Sequence, residues 1–405
     1  MAEKILQIAK YIPTPAFVAD VRKLKRNLRV ADRIRKEAGC KILLATKAFA
    51  MPAVYPLMRQ YLDGTTASGL YEARHDRHEF DKEVHAYCPA YKDSEIDELV
   101  KLADYVYFNS PEQMKLYGAK VKKAGKKIGV RINPGYSKSN IGGDLYNPCA
   151  PCSRFGALPK DLDKFPWKDI DLLHAHVLCE SLHEGSVGLI EHIAKHFGKY
   201  VEKVKAVNFG GGHFFNKPGY DVGALIKAIR KFKRQFPHVE VILEPGGALV
   251  YDAGYLVASV LDTPFNREYT AVLDISATCH APDIITAHFR PPVLGAVLCE
   301  NDDGERTKPP KSHQHGYILA GRTCMTGDII SMYGFKKPLR RGDRIVLSDM
   351  MQYNFVQNTT FNGTPLPDLF VMQEDGKVLR ASNFGYDEFA RRLGVSAKKL
   401  KPVKA

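Results

Sequence analysis

The stretch Lys41-Ile42-Leu43-Leu44-Ala45-Thr46-Lys47-Ala48-Phe49 decides how the rest of the chain is read. Its apolar run, Ile42 to Ala45, has the length and composition of a buried strand. The run leads into a lysine where such a strand should emerge. An unpaired ammonium is costly to bury. Lys47 is therefore either a strand-end side chain that snorkels to solvent, or an amine held in an apolar site. In the second case its pKa falls and it can form a Schiff base with an aldehyde. The flanking sequence separates the two.

Upstream, Thr14 to Asp20 reads as a short strand entering a helix, with Asp20 as its N-cap. Val21, Leu24, Leu28, Ala31 and Ile34 then recur at helical spacing until Gly39. Downstream, a short apolar strand, a polar loop and an amphipathic helix alternate repeatedly. The strands fall at 42–46, 62–66, 84–88, 104–108, 127–132, 170–178, 204–209 and 240–244. Helix starts are marked by signals such as Ser110-Pro111. About eight such units imply a parallel sheet closed into a (β/α)8 barrel. Near Asp262 the pattern changes. Val257–Leu261, Tyr269–Ile275, Val293–Leu298, Tyr317–Ala320, Asp328–Met332 and Arg344–Leu347 are strand-like runs with few helices between them. The expected organisation is α/β: a TIM-like barrel over 22–262 and a mainly β domain formed by 1–21 and 263–405. The sequence shows no internal repeat. The tail after Ser396, with Lys398-Lys399-Leu400-Lys401, reads as a mobile basic end.

The 405 residues suffice for a barrel plus an appendage. No apolar run reaches membrane-spanning length, and the N-terminal stretch lacks the apolar core of a secretory signal. Eight scattered cysteines in such a chain point to free thiols in a reducing cytoplasm. Cys149 and Cys152 form one CxxC pair with no second pair at zinc-ribbon spacing, so no metal is expected. The net charge of +14 could serve nucleic acid. The basic residues, however, lie mostly in amphipathic helices such as Val21 to Arg35 and in the tail, without an arginine-rich arm. A solvated surface, with no nucleic-acid or membrane partner, is the reading taken.

A barrel of this kind places its active site at the C-terminal ends of its strands. Those ends carry Lys47, then Ser68-Gly69 and Glu72, then Arg131, His174-Ala175-His176 with Cys179-Glu180, Gly210-Gly211-Gly212-His213, and Glu244-Pro245-Gly246-Gly247. Three glycines let backbone amides approach an anion, and barrels often hold phosphate after strands seven and eight; a plain tight turn is the alternative. Glu244 is either an ion-paired structural residue or the partner of a protonated ring nitrogen. His176 is either a core histidine or a neighbour for a flat ring. An aldehyde-trapping lysine, a phosphate cradle, a carboxylate and a flat-ring neighbour together describe pyridoxal 5′-phosphate.

With these residues in place, the sequence resembles the alanine-racemase-fold decarboxylases that act on ornithine, arginine and diaminopimelate. Three further stretches, Asp274-Ile275-Ser276-Ala277-Thr278-Cys279-His280-Ala281-Pro282-Asp283, Gly321-Arg322-Thr323-Cys324-Met325-Thr326-Gly327-Asp328 and Thr359-Thr360-Phe361-Asn362-Gly363, resemble those of carboxynorspermidine/carboxyspermidine decarboxylases. The resemblance implies pyridoxal phosphate in Schiff-base linkage to Lys47, with His176 stacked on its ring. It implies phosphate contacts from Gly210, Gly211, Gly212, Gly246 and the Tyr353 hydroxyl, and Glu244 on the ring nitrogen. It further implies that Cys324 is supplied by the partner of a homodimer as proton donor, and that Asp274 meets the distal amine of a carboxylated triamine. Glu180, His280, Asp283 and Asp328 are further substrate candidates.

Two departures narrow this. Gly247 stands where the ornithine enzymes carry an arginine after Glu-Pro-Gly, and Met325 stands where they place an acid after the cysteine. A longer aliphatic substrate suits that apolar neighbour. Decarboxylation in polyamine biosynthesis is thus expected. The alternatives are an ornithine, lysine or diaminopimelate decarboxylase, or a racemase of the same fold, whose second base would be a tyrosine where Cys324 stands.

Overall fold

In the computed structural model, which describes residues 2–139 and 143–395, eight short strands close on themselves. Around the ring they run Lys41–Ala45, Gly64–Ala67, Glu83–Tyr87, Tyr105–Phe108, Lys127–Arg131, Leu172–His174, Ala206–Asn208 and Glu240–Leu243, then back to the first. Every neighbouring pair is parallel. All eight expected strands are present, the sixth trimmed from 170–178 to three residues. The chain leaves that strand early because Ala175 to Val177 belong to the rim loop.

Local signals account for the helices. The Asp20 carboxylate accepts from the amides of Arg22 and Lys23 at 3.0 and 3.2 Å, capping Val21–Ala38. Leu24, Leu28, Ala31 and Ile34 of that helix are buried, as their 3.6-residue spacing requires. Ser110 Oγ accepts from Gln113 N at 3.2 Å, and Pro111 opens the helix Pro111–Lys123.

The second unit is built on a ten-stranded sheet. Its longest strand, Gly254–Asp262, pairs antiparallel with Ala16–Asp20, Glu268–Leu273 and Arg344–Ser348. Ala16–Asp20 in turn runs parallel to Asp368–Met372. The chain divides at Leu24 and Tyr251, with Leu24–Tyr251 forming the barrel unit. A boundary at 262 leaves Gly254–Asp262 on the wrong side. The reason is physical: Gly254 to Val260 are buried, so their sequence is as apolar as a barrel strand and the composition changes only where the strand reaches solvent. The strands Asp368–Met372 and Val378–Ser382 and the helices Ala2–Ile8 and Tyr386–Arg392 complete the picture. The basic tail beyond Ser396 lies outside the described residues.

Among the described residues no helix is long and apolar enough to cross a membrane. All eight cysteines are free thiols, Cys149 and Cys152 included.

Candidate active site

Lys47 follows directly on the first barrel strand, in a tight turn closed by Ala48 N to Ala45 O and Phe49 N to Thr46 O, at 3.0 and 3.1 Å. Thr46 pins the turn. Its amide donates to Thr66 O at 3.2 Å, and its hydroxyl lies 3.1 Å from the buried carboxyl of Asp76. Burial pushes the Lys47 ammonium below the usual lysine range, and the Arg131 guanidinium pushes the same way against Glu244, Glu72 and Cys179. The result is an amine biased toward its uncharged, nucleophilic form.

Opposite it stands Glu244, fully enclosed at the end of the eighth strand. Asn208 Nδ2 donates to Oε1 at 2.7 Å and His174 Nε2 meets Oε2 at 3.1 Å. Burial alone would raise this carboxyl; the imidazole of His174 and the hydrogen bonds around it win and hold it well below the carboxylate range. His176 Nδ1 lies 3.8 Å from Glu244 and accepts from Gly211 N at 3.1 Å. A nitrogen that accepts there carries no proton, which agrees with burial, helped by Lys47, pushing His176 down to about 3. His176 is therefore a neutral ring. The atoms of His174, His176 and Glu244 lie within 4.8 Å of one another, but these hydrogen bonds already occupy the facing atoms.

Arg131, from the fifth strand, donates to His176 O at 2.7 Å and is sandwiched between Tyr87 and Phe155, with its guanidinium 4.5 and 4.6 Å from their centroids. Its Nε and His174 Nδ1 are buried polar atoms without a hydrogen-bond partner, available to a bound group. The glycine run is constrained by its neighbours. Gly210 and Gly212 have φ of 68° and 83°, and a Cβ on Gly210, Gly211 or Gly212 would come within 2.6 Å of His176, Glu244 O or Leu178 O respectively. Gly210 N donates to Asn208 Oδ1 at 2.8 Å and Gly211 N to His176. The expectation that all three amides face phosphate thus meets two that are engaged, which leaves Gly212 N. Gly246 lets the eighth strand's loop abut the Lys47 turn: a Cβ there would lie 2.5 Å from Ala48 Cβ.

Sequence reasoning noted His174 without giving it a role and passed over Asn208 and Tyr107. An asparagine or tyrosine inside a strand has no signal of its own; its partner lies on another stretch, Glu244 after the eighth strand for Asn208 and His85 on the third for Tyr107.

In the sheet unit the three stretches singled out in sequence converge. Asp328 accepts from Ala277 N at 2.8 Å and from Thr323 N and Oγ1 at 3.2 and 2.7 Å. Cys324 N donates to Asn362 Oδ1 at 2.8 Å, and Thr359 N to Cys279 O at 3.0 Å. Cys324 and Met325 are presented on an exposed loop by this framework. Asp328 is thus committed to the loop's architecture. His280 is likewise enclosed, with Nδ1 accepting from Ser276 N at 3.3 Å and burial pushing it down to about 4. Asp274 accepts from Thr14 Oγ1 at 2.6 Å and Ser259 N at 2.8 Å, yet burial pushes its carboxyl up. Glu180, in the barrel unit, is also raised by burial against the nearby Lys217, 3.5 Å away, and has φ of 44°. Asp283 N donates to Asn354 Oδ1 at 3.2 Å. Tyr353 holds φ 51° and ψ −53°, an uncommon backbone state for a tyrosine and one that clusters at functional sites.

These residues suit pyridoxal phosphate: a depressed amine for its aldehyde, an ionised carboxylate for a protonated ring nitrogen, and a neutral imidazole at 17% side-chain exposure for its face. Residues 16–351 match the family described as pyridoxal-dependent decarboxylase, C-terminal sheet domain. A carboxynorspermidine/carboxyspermidine decarboxylase of Campylobacter jejuni is 37% identical over 94% of this chain and 98% of its own. A carboxyaminopropylagmatine decarboxylase of Synechocystis is 36% identical over 95% and 96%. The crystal structure of the Campylobacter jejuni carboxynorspermidine decarboxylase, complexed with norspermidine, superposes with a TM-score of 0.87 at 35% identity, covering 94% of this chain and all of that one. The chain belongs to the pyridoxal-dependent decarboxylases whose barrel is joined to a C-terminal sheet domain.

Proposed function

We propose that this enzyme decarboxylates carboxynorspermidine, carboxyspermidine or both, yielding the triamine and CO2. The observation that carries this reading is the framework around Cys324, in which the three stretches that resemble those of such enzymes meet through Asp328 and Asn362 and present Met325 beside the cysteine. An acid there would clamp the end of a short diamine; a thioether leaves room for a longer apolar run.

When bound, pyridoxal phosphate supplies the aldehyde that captures the substrate amine and the ring that accepts the electron pair released with CO2. Lys47 would hold it through its amine. His176 would offer its ring to the cofactor's face, and Glu244 would be the carboxylate for its ring nitrogen. Gly212, Gly246 and the Tyr353 hydroxyl serve the phosphate. Cys324 returns a proton to the substrate carbon. Asp274 and Glu180 are the acids proposed for the distal amines, with Asp283 behind them. Burial raises both carboxyls, and a substrate ammonium beside either would favour its ionised form.

A second reading, a carboxylated aminopropylagmatine, is favoured by the near-equal identity of the Synechocystis relative. The two differ at the far end, an ammonium against a planar guanidinium that needs a bidentate acid. CO2 release from the three carboxylated amines and from ornithine separates them. Turnover is expected to be highest with a triamine, and ornithine turnover matching it would overturn the assignment.

We propose further that the enzyme acts as a homodimer with shared sites, a reading supported by the exposure of Cys324 in the single chain. Mixing Lys47→Ala with Cys324→Ala chains is then expected to restore up to about a quarter of wild-type sites, because only heterodimers carry one intact pairing. No recovery despite demonstrated subunit exchange would refute sharing.

A further inference from the structure

The interior of a (β/α)8 barrel is ordinarily packed with branched apolar side chains. Here Leu43, Tyr105, Leu172, Ala206 and Ile242 do pack together, but a polar row threads past them. Its members come from different strands. Glu83 and His85 lie on the third, Tyr107 on the fourth and Asn208 on the seventh, and Glu244 follows the eighth. His85, Tyr107, Asn208 and Glu244 are all buried.

The direction of the hydrogen bonds in the row follows from a backbone donor at one end and a carboxylate acceptor at the other. A backbone amide only donates, so Gly210 N, 2.8 Å from Asn208 Oδ1, fixes which way that carboxamide faces. Its Nδ2 then has one hydrogen for Glu244 Oε1 at 2.7 Å and one for the Tyr107 oxygen at 3.0 Å. Tyr107, accepting from Asn208, has its own proton for His85 Nδ1, with which it makes a short contact. His85 must therefore carry its proton on Nε2, which faces Glu83 Oε1 at 2.8 Å. Glu83 closes the row as an acceptor and is anchored by Lys41 at 3.2 Å, itself 3.1 Å from Glu240. The row begins where Lys41 and Glu83 reach solvent at the opposite end of the strands and finishes at Glu244.

We propose that Tyr107 and His85, with Glu83 as terminal acceptor, are positioning residues for the decarboxylation: their one-directional hydrogen bonds lock the Asn208 carboxamide so that it ties Glu244 and the Gly210 loop into one rigid unit. Asn208 is the joint. It holds the carboxylate assigned to the cofactor's ring nitrogen with one arm and the loop assigned to its phosphate with the other. Without the Tyr107 hydroxyl, one Asn208 hydrogen and His85 Nδ1 both lose their partners in a dry interior. The joint can then relax only by moving the carboxamide or shifting the His85 proton. The proposal rests on the role given above to Glu244.

The test is Tyr107→Phe in the full-length holoenzyme, beside Glu83→Gln. Phenylalanine keeps the ring that packs 5.7 Å from His85 and 4.9 Å from His174, so only the hydroxyl is removed. Glutamine keeps an oxygen for His85 and removes only the charge. Tyr107→Phe is expected to lower kcat about 10- to 100-fold, the range typical when the outer partner that orients a metal-site residue is lost. Substrate KM is expected to stay near wild type and pyridoxal phosphate to dissociate faster. The ¹⁵N imidazole signals should show His85 losing its pure Nε2–H pattern. Glu83→Gln, which keeps an acceptor for His85, should lose clearly less than Tyr107→Phe in all four readouts. A folded Tyr107→Phe enzyme with wild-type kcat and an unchanged His85 pattern would overturn the proposal. Equal losses in both variants would do so too, by assigning the effect to the Glu83 charge. If the His85 pattern changes and cofactor release quickens while kcat holds, the row stands and the role of Glu244 at the ring nitrogen falls.

Discussion

Lys47→Ala is expected to leave a folded protein that no longer retains pyridoxal phosphate through dialysis, has no visible absorption from it, and turns over at least about 10⁴-fold more slowly. General acid–base groups alone contribute about 10²- to 10⁴-fold, and this residue does more than move protons. It carries the tether and exchanges it for the substrate amine. The structure shows why this lysine is suited to it. The Thr46 turn holds the side chain inside the ring of strand ends, where burial and Arg131 both disfavour the ammonium. An amine with a lowered pKa is free base at a lower pH than a surface lysine, which favours the nucleophile. Lys47→Arg should be as inactive as alanine, because a guanidinium stays charged. Folding should survive either change: Lys47 is only partly buried, and the turn is held by Thr46 and backbone bonds rather than by the ammonium. Wild-type turnover in the alanine variant would remove Lys47 from the mechanism.

How far these residues were visible in the sequence depended on whether their signal was local. Lys47, Arg131, His176 and Glu244 each end an apolar run, and a charge or ring at the end of a buried strand stands out. The barrel was legible for the same reason, since eight short runs separated by amphipathic helices leave few alternatives. Three kinds of information were not local. The unit boundary was misplaced because Gly254–Val260, sandwiched in the sheet, is as apolar as a barrel strand. The direction of the glycine amides depends on Asn208 and His176, which no spacing rule connects to them. The commitment of Asp328 to backbone and hydroxyl donors follows only when the Ala277 and Thr323 segments are seen to meet there. Acids read as substrate contacts from sequence alone thus divide in the structure into an architectural one, Asp328, and two whose carboxyls burial raises, Asp274 and Glu180.

Glu244→Gln is expected to retain the fold and bound cofactor and to lose about 10²- to 10³-fold in kcat, the scale found when one preorganised electrostatic partner of a transition state is removed. The carboxylate receives Asn208 on one oxygen and His174 on the other, whereas a glutamine offers one oxygen and one amide nitrogen. Its oxygen has to face Asn208, because the Asn208 carboxamide is held by Gly210 and Tyr107 and cannot turn without breaking both. The glutamine nitrogen therefore faces His174 Nε2, which must give up its proton. The proton can move to Nδ1, which is buried and has no partner, so that Nε2 can accept at the cost of one unpaired N–H. The variant thus keeps both hydrogen bonds of the residue 244 side chain, and what that side chain lacks is the negative charge. That charge stabilises the protonated ring nitrogen, and without it the ring is a poorer sink for the electron pair left as CO2 departs. Because the native carboxyl is held well below its usual range, Glu244 stays ionised as the pH falls through the weakly acidic region, and the wild-type acid limit on kcat should belong to another group. The His174 ¹⁵N signals should switch from the Nε2–H to the Nδ1–H pattern in the variant, which reports correct local structure independently of activity. A variant showing that switch with undiminished kcat would leave Glu244 a structural residue and break the link between its charge and the chemistry.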